Sequence, residues 1–147
     1  MAPHYERVSR LFTAAEGLFH FRSFTTYTFH NCVYGWLYDD IEEGRRVRTV
    51  DVLATLGPRH RLVFVGDASM APYELFSPFG WPVDDALPGI DWLRRFKRAC
   101  SASVWLNPDP PRWWNHPTVR AIGAVFPMFE LTVDGLSDAV KRLRAPV

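Results

Sequence analysis

Few residues of this chain are placed to do chemistry, and Asp67 is the foremost of them. It follows the apolar run Leu62-Val63-Phe64-Val65 and Gly66, so it stands where a buried strand ends and the backbone turns. Strands apolar on both faces belong to parallel sheets, and the carboxyl edge of such sheets is where open α/β folds bind ligands. A carboxylate there could hold a cation; equally, it could cap the helix that Pro72 would begin, or close a turn. The histidines offer less: His4, His20, His30, His60 and His116 show no metal-ligand spacing. His30 and Cys32 are the makings of a Cys–His nucleophile, but both fall at a turn with no third group to orient them, and a structural turn is the better reading. Trp105, Trp113 and Trp114 surround Asn107 and a run of prolines. They would serve either as a binding surface of large contact area or as packing that fixes a long loop. Arg94, Arg95, Lys97 and Arg98 suggest a basic surface, yet they alternate with apolar residues as on any solvated helix face, and no stacking platform accompanies them.

The elements that must position these residues can be read from spacing. Tyr5, Val8, Leu11, Phe12, Ala15, Leu18 and Phe19 predict an amphipathic helix. Phe21 to Phe29 and Cys32 to Tyr38, rich in aromatic, Thr and Val residues, predict a β-hairpin turning at His30-Asn31. Asp39 to Arg48 is charged and reads as a loop, after which Thr49 caps a helix with Val50, Leu53 and Leu56 inward and Gly57-Pro58 as its stop. The Asp67 strand follows. Pro78 to Gly89 reads as irregular. Ile90, Leu93, Phe96 and Cys100 mark a helix, Ser103 to Leu106 a strand ending at Asn107, Thr118 to Val125 a helix, and Met128 to Leu131 a last strand. Leu136, Ala139, Val140 and Leu143 mark the closing helix. Helix and strand in alternation predict a doubly wound, mostly parallel α/β sheet, Rossmann-like, with an antiparallel edge hairpin. Asp67, Asn107 and Thr132 then fall along one edge.

With 147 residues the chain has the length of one domain, and 48% hydrophobic against 22% charged residues makes it globular rather than disordered. A net charge of +1 recommends neither nucleic acid nor an acidic membrane as partner. Cys32 and Cys100 lie far apart beside apolar segments and read as buried free thiols of a reducing compartment; with no signal core and no run long enough to span a bilayer, the chain reads as cytoplasmic.

Phe29-His30-Asn31-Cys32-Val33-Tyr34, the run Val65 to Leu75, Val104-Trp105-Leu106-Asn107-Pro108 and Pro127 to Leu136 resemble, in that order, a group of bacterial von Willebrand factor A-type (vWA) domain proteins. The resemblance covers nearly the whole chain. It implies a protein–protein interaction module with a metal-ion-dependent adhesion site, in which Mg²⁺ or Mn²⁺ is held by an Asp-x-Ser-x-Ser-type loop, a Thr and a further Asp, and completed by a partner's carboxylate. Asp67 matches the last Asp and Thr49 takes the place of the Thr. The first loop, Asp-x-Gly-Gly-Ser-Met in these relatives, is absent, and Met1 matches its final Met. The resemblance therefore implies an N-terminally incomplete vWA domain over residues 1–147, lacking the central first strand, with weak or no metal binding of its own because Mg²⁺ wants about six oxygens. It also implies work beside an AAA-type ATPase. Gly66-Asp67 resembles haloacid-dehalogenase-like phosphatases as well, but their Asp-x-Asp loop is missing and position 71 is Ala. A phosphatase fragment and a non-functional truncated product are the alternatives to a non-catalytic module.

Overall fold

The computed structural model describes residues 22–39, 44–78 and 87–145. The helix expected over Tyr5 to Phe19 and most of the irregular segment after Pro78 lie outside the described residues. Within them the chain is mixed α/β: a two-stranded antiparallel sheet, β1 (Trp36–Tyr38) and β2 (Arg46–Arg48), and a three-stranded parallel sheet in the order β3 (Arg61–Val65), β4 (Ala102–Asn107), β5 (Met128–Glu130). The helices are α1 (Thr49–Thr55), α2 (Pro72–Phe76), α3 (Gly89–Ala99), α4 (Pro117–Val125) and α5 (Val133–Arg144). None of them is long and apolar enough to cross a membrane.

The period-2 alternation of β3 and β4 sorts their side chains onto two faces. Phe64 and Trp105 point to one, where Phe64 stacks on Trp105 at 5.3 Å and meets Phe96 of α3 edge-on at 5.8 Å. Val119 and Ile122 of α4, Leu75 of α2 and Val52 of α1 fill the same cluster. Val104 and Leu106 point to the other face and pack with Ala139 and Leu143 of α5, bordered by Val63 and Val65. Helices therefore cover both faces of the parallel sheet. Gly135 lets α5 cross close to β5, for a Cβ there would sit 2.0 Å from the Glu130 carbonyl oxygen. The ends of α5 follow charge and capping rules: Thr132 Oγ1 accepts from Gly135 N at 3.1 Å, Asp134 lies in its first turn, and Lys141, Arg142 and Arg144 lie in its last.

Two expectations need correction. Among the described residues, 22–29 do not form a ladder with 32–38. Thr28 alone bridges Tyr38, and the antiparallel partner of β1 is β2, inside the stretch read as a loop. Charge concealed that strand: only Val47 turns inward, while Arg46 stacks 4.9 Å over the Trp36 ring and Arg45 meets Asp39 at 2.6 Å. Nor does Thr49 cap α1. It is the first helical residue, Arg48 stands at the cap, and the Thr49 hydroxyl donates to the Tyr34 carbonyl. Of the inward residues, Val52 is the buried one, while Val50, Leu53 and Leu56 are half-buried against the same core.

Candidate functional site

The segment after β3 is held by side chains from two other elements. Asn107, fully buried at the end of β4, donates from Nδ2 to the Asp67 carbonyl at 2.9 Å, and its Oδ1 accepts from Asp109 N at 2.8 Å. Thr118, fully buried in the first turn of α4, donates to the Ala68 carbonyl at 2.8 Å and accepts from Met70 N at 3.2 Å. Trp105 Nε1 donates to the Gly66 carbonyl at 2.8 Å. These bonds hold Ala68 at φ +60°, a left-handed conformation that costs a non-glycine residue roughly 1–2 kcal/mol. The outcome is a fixed turn that directs the Asp67 carboxylate outward.

Asp67 is exposed, and its Oδ1 accepts from Ser69 N at 2.9 Å. It thus closes an Asx-type turn and does not cap α2, whose first residue is Pro72 after Ala71. Glu74 takes the role at that helix start: Oε2 accepts from Ala71 N and Oε1 from Asn31 Nδ2, both at 2.9 Å. Tyr34 Oη donates to the Glu74 carbonyl at 2.5 Å. Burial, then the neighbouring Cys32 and Glu74, push the Tyr34 hydroxyl up, so it stays a neutral donor. The stretches singled out in the sequence are tied together: the 30–34 turn to α2 through Asn31 and Tyr34, the Asp67 turn to Asn107, and residue 131 to β4 through Leu131 N to the Asn107 carbonyl at 2.8 Å.

The two candidate metal ligands differ in setting. Asp67 faces solvent, whereas Thr49 is fully buried with its hydroxyl hydrogen committed to Tyr34. Among the described residues no three His, Cys, Asp or Glu side chains gather in a way that could hold a metal ion. One exposed carboxylate and one buried hydroxyl are too small a donor set for an octahedral cation, so the described residues alone do not fit Mg²⁺.

Cys32 and Cys100 are free and buried. Burial, opposed by a bond from the Val33 backbone and reinforced by Glu74, pushes the Cys32 thiol up to about 12. His30 packs edge-on against Tyr38 at 5.3 Å, and Cys32 N donates to the His30 carbonyl at 2.6 Å, so this pair forms a turn. The tryptophans divide. Trp105 is in the core, and Trp114 is half-buried with Nε1 donating to the Asp109 carbonyl at 2.8 Å. Trp113 is 59% exposed. Arg94, Arg95 and Arg98 of α3 are exposed, with Arg94 paired to Asp91 at 3.2 Å and Arg95 5.1 Å over Trp92, whereas Lys97 is half-buried with Nζ 5.8 Å over the Phe126 ring.

Sequence reasoning missed Thr118, Glu74 and the conformation of Ala68. Thr118 carries one local sign, a hydroxyl just inside a helix that begins with proline, but nothing local shows that it reaches back 50 residues. No protein-family model matches the chain, and neither a curated protein nor a solved structure matches it.

Proposed function

We propose that the chain is a vWA-type protein–protein interaction module whose working edge is the carboxyl end of the parallel sheet, with Asp67 as the carboxylate presented there. One observation carries this reading: an exposed carboxylate on a turn locked by two fully buried polar side chains from separate elements. Buried polar groups are costly unless bonded, and each of these spends a bond on a backbone carbonyl of the turn, Asn107 on that of Asp67 and Thr118 on that of Ala68. The doubly wound vWA arrangement accords with helices on both faces of β3–β4–β5. It also accords with β3, where Gly66 N bonds to Leu106 and alternation turns the backbone groups of Val63 and Val65 toward the other edge, which has no strand among the described residues. A strand added there would end beside Asp67 and could bring further oxygens. Asp67 would then be one ligand of Mg²⁺ or Mn²⁺, with Thr49 as a second candidate, and the remaining position open to a partner's carboxylate.

Calorimetric titration with Mg²⁺ and Mn²⁺ tests this. The chain as it stands is expected to bind weakly or not at all. The chain fused at Met1 to an apolar strand ending in Asp-x-Gly-Gly-Ser is expected to bind, and to lose binding on Asp67→Ala. Equal binding by both forms, binding indifferent to Asp67→Ala, or no binding by a folded fusion would refute the reading.

A further inference from the structure

The loop after β4 carries a feature that the Asp67 turn does not use. Asn107-Pro108-Asp109-Pro110-Pro111 leads into a 3-10 turn, Pro111–Trp113. Trp113 N donates to the Pro110 carbonyl at 2.9 Å, Trp114 N to Pro111 at 3.0 Å, and the half-buried Trp114 ring anchors the loop through Asp109. A loop so internally bonded holds one large ring out in solvent: Trp113 is 59% exposed, with the Arg112 guanidinium 5.4 Å over its face. Exposing tryptophan on a rigid turn forgoes the burial its area would otherwise gain, and rigid tryptophan and arginine are the residue types that dominate binding energy at interfaces. With the guanidinium over the ring, its planar fork can meet a carboxylate while the indole offers an apolar surface beside it. Asn107 anchors this loop and the Asp67 turn together, one through Oδ1 and the other through Nδ2.

We propose that Trp113 and Arg112 form a docking surface for an acidic segment of a protein partner, an Asp or Glu next to an apolar side chain, on the same edge as Asp67. The proposal rests on the reading of that edge as an interaction site and names the chemistry of its partner.

The test uses the whole chain, immobilised, as bait for a phage-displayed library of random dodecapeptides. Enriched peptides are then synthesised and titrated by fluorescence anisotropy. Peptides pairing Asp or Glu with an adjacent apolar residue are expected, with affinity falling about thirtyfold on Trp113→Ala and about tenfold on Arg112→Gln. Both side chains are exposed, and an unchanged thermal midpoint confirms that each variant is folded. Several outcomes overturn the proposal: no enrichment, enriched peptides without acidic residues, or binding indifferent to both substitutions. Stronger binding of an oligothymidylate would assign the ring to base stacking, and a dimer lost on Trp113→Ala would assign it to a second copy of this chain. Failure of the cation reading appears separately, as metal titrations indifferent to Asp67→Ala.

Discussion

Replacing Thr118 by Val removes one oxygen from a fully buried position while leaving almost the same shape. That oxygen bonds two backbone groups, the Ala68 carbonyl at 2.8 Å and Met70 N at 3.2 Å, and also lies 2.8 Å from His116 Nδ1. Each buried group left without a partner costs about 1–3 kcal/mol, and relaxation of the turn recovers part of the sum. A loss of about 2–4 kcal/mol follows, a large share of the roughly 5–15 kcal/mol that holds a domain together. For a chain of this size it corresponds to about 5–15 °C in thermal midpoint. Thr118→Ser keeps the hydroxyl and deletes only a methyl, so it is expected to cost about 1 kcal/mol. Urea denaturation of both variants gives the ordering, and amide exchange at Met70 gives the location, since its protection should fall in Thr118→Val alone. If the serine variant were as unstable as the valine one, packing of the methyl would explain Thr118 and the account of the locked turn would be wrong.

Gly135→Ala should be more damaging, because its Cβ would meet the Glu130 backbone at 2.0 and 2.9 Å. We expect a loss of about 3 kcal/mol or more, or an insoluble product, and an unchanged urea midpoint would show that α5 does not pack as described. Ala68→Gly relieves the left-handed strain but removes a buried methyl worth about 0.8 kcal/mol; stability within about 1 kcal/mol of the parent is expected, whereas Ala68→Val should destabilise clearly. Cys32, with its thiol raised from 9.0 to about 12, stays protonated in the folded chain where the unfolded chain has lost its proton. Its contribution to stability is therefore complete below pH 9 and falls as pH rises toward 12, and a disulfide reagent at pH 8 should label it only at the rate of unfolding. Arg61→Met should cost about 2 kcal/mol in thermal denaturation, since the guanidinium bonds the Leu143 carbonyl and Ser101 Oγ, both at 2.8 Å, and ties β3 to the end of α5.

What could be read in the sequence was what repeats. The apolar run of β3, the helical spacing of Ile90, Leu93 and Phe96, and that of Ala139, Val140 and Leu143 each reflect burial on a regular face, and the elements follow. Trp92 is 1% exposed yet lies between the periodic positions, where spacing does not mark it, and its ring packs toward Gly35. Where burial is slight, pattern fails. β2 has one inward side chain, and residues 24–29 have strand-favouring types but only Thr28 in a ladder, because propensity for strand cannot supply a neighbour to pair with. The position of Asp67 at a strand end was legible, while its support was not. Asn107 and Thr118 act across 40 and 50 residues, and a long-range bond leaves no local pattern. Trp113 and Trp114 are adjacent and alike in sequence, and only the 3-10 turn decides which one faces water.

The two sheets have no backbone ladder between them among the described residues, yet Leu37 and Val47 of one and Phe64 of the other belong to a single cluster of side chains. Such a joint answers differently to mechanical load. In β3–β4–β5, all parallel, a pull along the strands loads every inter-strand bond in shear at once, so that unit resists to high force and then yields together. Between the strands of the two sheets the contact is apolar and non-directional, and directional ties come from the bonds of Asn31 and Tyr34, just ahead of β1, to Glu74 on α2. A load drawn through β1 and β2 should therefore part that hairpin and its two bonds to Glu74 from the rest first, while the parallel ladder behind Asp67 remains whole.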